Sequence, residues 1–235
     1  MTAPERLHEL AERHVLGSDA RTRLAALLEL LASDVTAPSA VTAAAAAVDI
    51  HVADSLTALD VPAISAAQRI ADVGSGAGFP GLVLAIALPE ADVALVESNR
   101  RKCDFLERAR TVSGTSNATV VCARAEAWPA GLGGHDVVTA RAVGSLALLC
   151  EYAAPLLALG GTLVAWKGAA PAGERSAGDR AARELGLEPG VVLRTEPYTG
   201  SAGHHLHMYL KTADTPSSFP RRPGVARKHP LGGGS

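Results

Sequence analysis

Cysteine is scarce in this chain: Cys103, Cys122 and Cys150 stand far apart and without CxxC spacing. That pattern gives no zinc site and no disulfide framework, and predicts three small buried hydrophobes. No uncharged stretch approaches the ~18 apolar residues that a membrane span needs. The N-terminus is acidic and polar, where a secretory leader would be basic and then apolar, so a cytoplasmic protein without a membrane partner is expected. His204, His205 and His207 cluster in sequence, but no acid or cysteine completes a ligand set. On a strand His205 and His207 share one face while His204 takes the other, so no metal site is predicted. No internal repeat is visible.

What is present fits one large α/β domain with an appendage: 235 residues, of which 48% are hydrophobic. Residues 1–60 read as a helical cap, in which Leu24, Leu27, Leu28 and Leu31 share a face and Ala43 to Ala47 favours helix. Residues 61–213 read as the α/β domain, and residues 214–235 as a basic, flexible tail. The net charge of −2 is unevenly spread, because Arg221, Arg222, Arg227 and Lys228 put +4 on the last twenty residues and leave −6 on the rest. Such arms contact nucleic-acid phosphates.

The ten residues from Asp72 to Gly81 read as a buried strand entering a glycine turn and then a helix, the junction at which α/β proteins bind nucleotides. Residues 68–73 supply the strand, Gly74, Gly76 and Gly78 the turn, and residues 79–88 the helix, with Pro80 suited to its first turn. A literal GxGxxG occurs at Gly76, Gly78 and Gly81, which keeps a nicotinamide-dependent oxidoreductase as an alternative. Counted from Gly74, however, Phe79 stands where the dinucleotide fingerprint needs glycine. Glu97, twenty-three residues past Gly74, ends the second strand and can accept hydrogen bonds from both hydroxyls of a ribose, in either cofactor. Ala125 and Glu126 follow the third strand, where a backbone N–H and a carboxyl group can read an adenine edge.

Strands are predicted near 69–73, 92–97, 118–122, 135–140 and 161–166, alternating with helices near 79–88, 99–113, 144–158 and 172–186. The last two strands, 191–195 and 205–211, are joined by a turn too short for a crossover helix and should pair antiparallel. Five alternating units and a terminal hairpin resemble the class I S-adenosylmethionine-dependent methyltransferase fold: a seven-stranded, mostly parallel sheet with an antiparallel last strand, here with an N-terminal helical cap.

Several further segments resemble one family, the small-subunit ribosomal RNA methyltransferase G family, also called glucose-inhibited division protein B. They are His51-Val52-Ala53-Asp54-Ser55-Leu56, the glycine turn, Glu97-Ser98 with Arg101, Lys102, Phe105 and Leu106, then Arg124-Ala125-Glu126, Thr139 to Val143, and Ala165-Trp166-Lys167-Gly168. The tail segments Phe219 to Gly224 and Lys228 to Leu231 are also similar. The family's Trp and Asn-Leu-Thr are absent from the Ala-rich cap. The resemblance implies S-adenosylmethionine as cofactor, with contacts at Gly74, Phe79, Ala125, Glu126 and Arg141, to which the glycine turn and second strand add Gly76, Gly78 and Glu97 as expected cofactor-binding residues. It implies 16S rRNA or the small subunit as partner, methylated at N7 of a guanine in the decoding-centre loop, and a monomer is expected. A ribosome assembly factor without turnover is the second alternative.

Guanine N7 carries a free lone pair and no proton, so its methylation needs no general base. The chain lacks an (N/D)PPY run after the fourth strand, as amino methylation of adenine would use. Arg141 stands there instead and is expected to position the reactants, bracing the cofactor or holding O6 and phosphate. Lys167, at the end of the fifth strand, is expected to touch phosphate, as are Arg101, Lys102, Arg221, Arg222, Arg227 and Lys228. His51 and Asp54 are read as a helix-anchoring pair beside the site.

Overall fold

A computed structural model describes residues 2–168 and 170–232. The cap begins with α1 (Ala3–Arg13), whose first N–H groups are satisfied by a capping box between Thr2 and Glu5. It continues through α2 (Ala20–Ser33) and α3 (Ala44–Ala47) into a π-helical segment, Val48–Ala53, then α4 (Asp54–Leu56). Leu24, Leu27, Leu28 and Leu31 are buried together as their spacing requires. A 3-10 turn and α5 (Pro62–Ser65) lead to the sheet.

The sheet contains β1 (Arg69–Val73), β2 (Asp92–Glu97), β3 (Ala118–Cys122), β4 (His135–Arg141), β5 (Leu157–Lys167), β6 (Leu187–Thr195) and β7 (His204–Lys211), in the order β3-β2-β1-β4-β5-β7-β6. Neighbours pair in parallel from β3 to β5, while β7 runs antiparallel to both β5 and β6. The connecting helices are α6 (Gly81–Ala87), α7 (Arg100–Val112), α8 (Leu146–Ala153) and α9 (Ala172–Glu184). The helix expected over 144–158 stops at Ala153, and Leu157 already belongs to β5. Chain order reverses between β1 and β4, so the ends of these strands diverge and leave a crevice at their carboxyl edge.

The cap shares its core with the sheet: Leu7, Leu24, Leu31, Val52 and Leu56 form one buried cluster with Ile70, Leu95 and Phe105. That continuity fixes the cap helices against one face of the sheet and aims the π-helical segment at the crevice. Such segments widen the helix by one residue per turn and often occur at functional sites.

Two glycines at the β1–α6 junction are demanded by geometry. Gly74 has a φ of 74°, and a Cβ there would lie 2.5 Å from Val143 Cγ2. A Cβ on Gly81 would lie 2.7 Å from the Asp72 carboxylate and overlap Leu95 Cδ2. Both neighbours are buried, so neither can swing aside. Gly81→Ala is therefore expected to cost about 1–3 kcal/mol by overpacking, read as a lower urea midpoint, and an unchanged midpoint would contradict this packing.

The cysteine expectation is corrected in part. Cys103 and Cys122 form a disulfide with Cα atoms 5.8 Å apart, and Cys122 is exposed. Cys122 is the parallel partner of Glu97 across β2 and β3, and Cys103 lies in the first turns of the helix that leaves Glu97. Topology thus joins residues that sequence spacing left apart. Cys150 is a buried free thiol, and burial pushes its pKa up.

Candidate active site

Two cavities share the carboxyl edge of the sheet, and Val143 lines both. The first, about 120 Å³, is walled by Gly74, Glu97, Ala125, Glu126, Tyr152 and Arg227. Glu97 Oε2 accepts the Gly76 N–H at 3.2 Å and Oε1 the Asn99 N–H at 2.8 Å. Each carboxylate oxygen keeps a second lone pair, which suits two neighbouring hydroxyls. Apolar Val73, Val96 and Leu148 complete a lining fit for the flat faces of a nucleoside.

The second cavity, about 520 Å³, is lined by Asp54, Arg141, Trp166, Lys167, His204 and His205, among others. Asp54 is its hub. One carboxylate oxygen accepts Arg141 Nη1 at 2.8 Å, and the other lies 3.0 Å from His204 Nδ1. The Asp54 carbonyl accepts the Trp166 indole N–H at 3.1 Å. Arg141 also donates to the Ile50 carbonyl at 3.0 Å and to His51 Nδ1 at 3.2 Å. Its Nε–H and one Nη2–H have no partner among the described residues.

His51 and Asp54 are therefore both ligands of Arg141, which corrects the expectation that they bond to each other. The His51 ring stacks on Phe79 at 4.5 Å, and the Arg141 guanidinium lies 5.8 Å from the same ring centre. Burial, reinforced by the Arg141 charge, pushes the His51 pKa down to about 4. The neutral tautomer follows from its partners. Guanidinium only donates, so Nδ1 accepts; the Val41 carbonyl 3.2 Å away only accepts, so Nε2 carries the proton. Between the cavities Ala142 adopts a left-handed φ of 59°, a strained conformation for a residue with a Cβ. The turn sends Arg141 toward the cap and Val143 into the wall that the two cavities share.

Beneath the glycine turn, buried Asp72 accepts from Thr139 Oγ1 at 2.9 Å and from the Gly81 N–H at 3.1 Å. Burial raises its pKa from 3.8 to about 6 despite those bonds. The folded chain thus holds a proton that the unfolded chain releases near pH 4, and stability falls as pH rises from about 4 to about 6. An amide avoids that cost. Asp72→Asn is expected to raise stability by on the order of 1–2 kcal/mol at pH 8 and to change little at pH 4. Urea midpoints at both pH values check this, and a gain confined to pH 4 would reverse the sign.

The cations expected to meet phosphate are not equivalent. Lys167 is engaged with Glu174 at 2.7 Å and the Gly144 carbonyl at 3.1 Å, so its charge is already matched. Arg221 forms a two-pronged pair with buried Glu151, which removes it from the free cations. The tail packs on the body over residues 216–231, where Phe219 and Leu231 meet the core and Ala226 is buried. The tail is packed on the body where a flexible arm was expected: Glu151 pairs with Arg221, and Glu126 accepts the Gly224 N–H. Arg101, Arg222, Arg227 and Lys228 are exposed, and Lys102 is half-buried. Gly78 turns the loop through its φ of 94° without lining either cavity. Among the described residues no three His, Cys, Asp or Glu side chains converge as a metal site would require, and no helix is long and apolar enough to cross a membrane.

Sequence alone does not reveal that Asp54 bonds both Arg141 and His204, although the His51 to Leu56 segment stands out in it. The signal available was that segment's occurrence ahead of the sheet in the same resemblance.

Comparison with known proteins agrees with this geometry. Among solved structures of the same fold, the cofactor-bound Rv0187 from MTB superposes with a TM-score of 0.55 at 18% identity, covering 82% of this chain and 91% of that one. The S-adenosylmethionine-dependent methyltransferase SibL in its apo form gives 0.54 at 17%, over 68% and 55%. The fold is the class I methyltransferase fold. Much nearer in sequence are proteins named ribosomal RNA small subunit methyltransferase G. That of Rubrobacter xylanophilus is 44% identical over 78% of this chain and 73% of its own length. The protein of that name from Deinococcus radiodurans is 39% identical over 77% and 73%. The family model described as rRNA small subunit methyltransferase G (GidB) matches residues 31–196, and the chain belongs to that family.

Proposed function

We propose that the chain transfers a methyl group from S-adenosylmethionine to N7 of a guanine in 16S rRNA, in the decoding-centre loop. The observation that carries this reading is the position of Arg141. Its guanidinium is locked by Asp54, His51 and the Ile50 carbonyl in the wall of the larger cavity, two residues before the Val143 that both cavities share.

The nucleoside cavity suits the cofactor: Glu97 offers lone pairs to the ribose, Ala125 and Glu126 face the adenine edge, and the Gly74–Phe79 turn leads to the methionine end. The bound cofactor supplies an electrophilic methyl on a cationic sulfur. With the cofactor held by Glu97, Ala125 and Glu126, its methyl would pass to the in-plane lone pair of an acceptor nitrogen in the second cavity, the S–C bonding pair staying on sulfur. No proton leaves the acceptor nitrogen. The cavity's carboxylate, Asp54, is engaged with Arg141 and His204, consistent with an acceptor that needs no base. What remains for the protein is alignment, which is able to contribute ~7–11 kcal/mol to a barrier. The free Arg141 donors are placed to hold O6 or phosphate while N7 stays clear.

Mapping N7-methylguanine in 16S rRNA by borohydride and aniline cleavage, from cells with and without the gene, tests reaction, base and position together. Loss of a single cleavage with the gene is expected. An unchanged map would favour a non-catalytic assembly role.

A further inference from the structure

The C-terminal segment is strongly basic, yet folded onto the body. We propose that residues 219–231 form a strap that closes the outer side of the adenosine cavity, with Arg227 as a cofactor-binding residue. This deepens the methyltransferase reading and rests on it.

Three anchors hold the strap. The Arg221 guanidinium grips Glu151 of α8, which is 2% exposed, and also donates to the His229 carbonyl at 2.9 Å. One strand of chain is thus drawn back on another around a buried carboxylate. Phe219 and Leu231 pack against the core on either side of it. At the centre the Gly224 N–H donates to Glu126 Oε1 at 3.0 Å. Gly224 has a φ of 85°, the conformation that lets this N–H turn inward before α10 (Val225–Lys228). That bond fixes the carboxylate expected at the adenine edge.

Ala226 is buried against the body, and Arg227 lines the cavity with Tyr152, Arg124 and Glu126. The other three act on Tyr152: burial raises its pKa, Glu126 adds to the rise, and Arg124 and Arg227 oppose it. A planar guanidinium beside an apolar slot is suited to stacking on a purine. The cavity is narrow for a nucleoside, at about 120 Å³ against the roughly 300 Å³ and more of small-molecule sites. The exposed Arg227 side chain has to swing outward on entry and close again afterwards, in the manner of a lid.

Binding of S-adenosylmethionine and of S-adenosylhomocysteine to the full chain and to Arg227→Ala, measured by calorimetry with melting temperatures alongside, tests the strap. Both ligands share the adenosine end. Both should bind the variant about five-fold more weakly or worse, the equivalent of ~1 kcal/mol, with the melting temperature unchanged because the side chain is exposed. Affinities within two-fold of the parent, or tighter, would overturn the strap, and weakened RNA binding in that case would return the segment to an RNA arm. Failure of the parent chain itself to bind S-adenosylmethionine would instead overturn the functional reading beneath it.

Discussion

Arg141→Ala is expected to abolish methyl transfer while leaving a folded chain that still binds S-adenosylmethionine within about ten-fold of the parent. The expectation rests on where the guanidinium is held. Two of its nitrogens bond the cap at Asp54, Ile50 and His51, and its face lies over Phe79 of the glycine turn. One side chain therefore fixes the cap, the turn and the wall of the acceptor cavity relative to one another. Losing it frees the acceptor side by on the order of 1 Å, and a misplacement of that size costs about 10²-fold in rate. Loss of the free donors adds to this.

The variant also leaves Asp54 without its cation. Breaking a fully buried pair costs about 3–5 kcal/mol, but Arg141 is 17% exposed and His204 still bonds the carboxylate, so a loss nearer ~2 kcal/mol is expected. Stability and chemistry are separated by the double variant Asp54→Asn with Arg141→Ala, which removes the orphaned charge. Its melting temperature should recover and its turnover should not. Recovered turnover would show that Arg141 merely neutralises Asp54, and near-normal turnover in the single variant would refute a positioning role altogether.

The parts of this arrangement differ in how far they could be read from sequence. Strand bounds from β1 to β4 follow period and flanking glycines, and local chemistry placed Gly74 and Glu97 in one cavity. The helix over 144–158 was overextended because Ala-Ala-Pro-Leu-Leu-Ala-Leu is apolar throughout, and such a run fits a buried strand or a helix alike. What periodicity does not encode is pairing across the fold. Asp54 meets Arg141 at a separation of 87 residues and His204 at 150. Arg221 meets Glu151 at 70, and Gly224 meets Glu126 at 98. Most of these residues stand out singly in the sequence, but not as pairs, and Glu151 does not stand out at all, so a tail anchored through Arg221 and Gly224 reads as a free arm.

Glu97→Gln is expected to weaken S-adenosylmethionine binding by about 100-fold, from the loss of one or two hydrogen bonds to a charged group at ~1.5–3 kcal/mol each. The substitution is nearly isosteric, so the reason is chemical. Each carboxylate oxygen now accepts one backbone N–H, from Gly76 or Asn99, and has a lone pair left over. A glutamine presents an NH₂ on one side, which opposes one of those backbone donors and has nothing to offer a hydroxyl as acceptor. The glycine turn is loosened and the ribose contact is halved by the same change. At saturating cofactor, turnover should therefore recover toward the parent value, opposite to Arg141→Ala, in which binding persists and turnover does not. Titrating both variants with S-adenosylmethionine and then measuring single-turnover methylation of 16S rRNA distinguishes the two. If Glu97→Gln stays inactive at saturation, or if Arg141→Ala loses cofactor binding to the same degree, the division of labour between the two cavities is wrong.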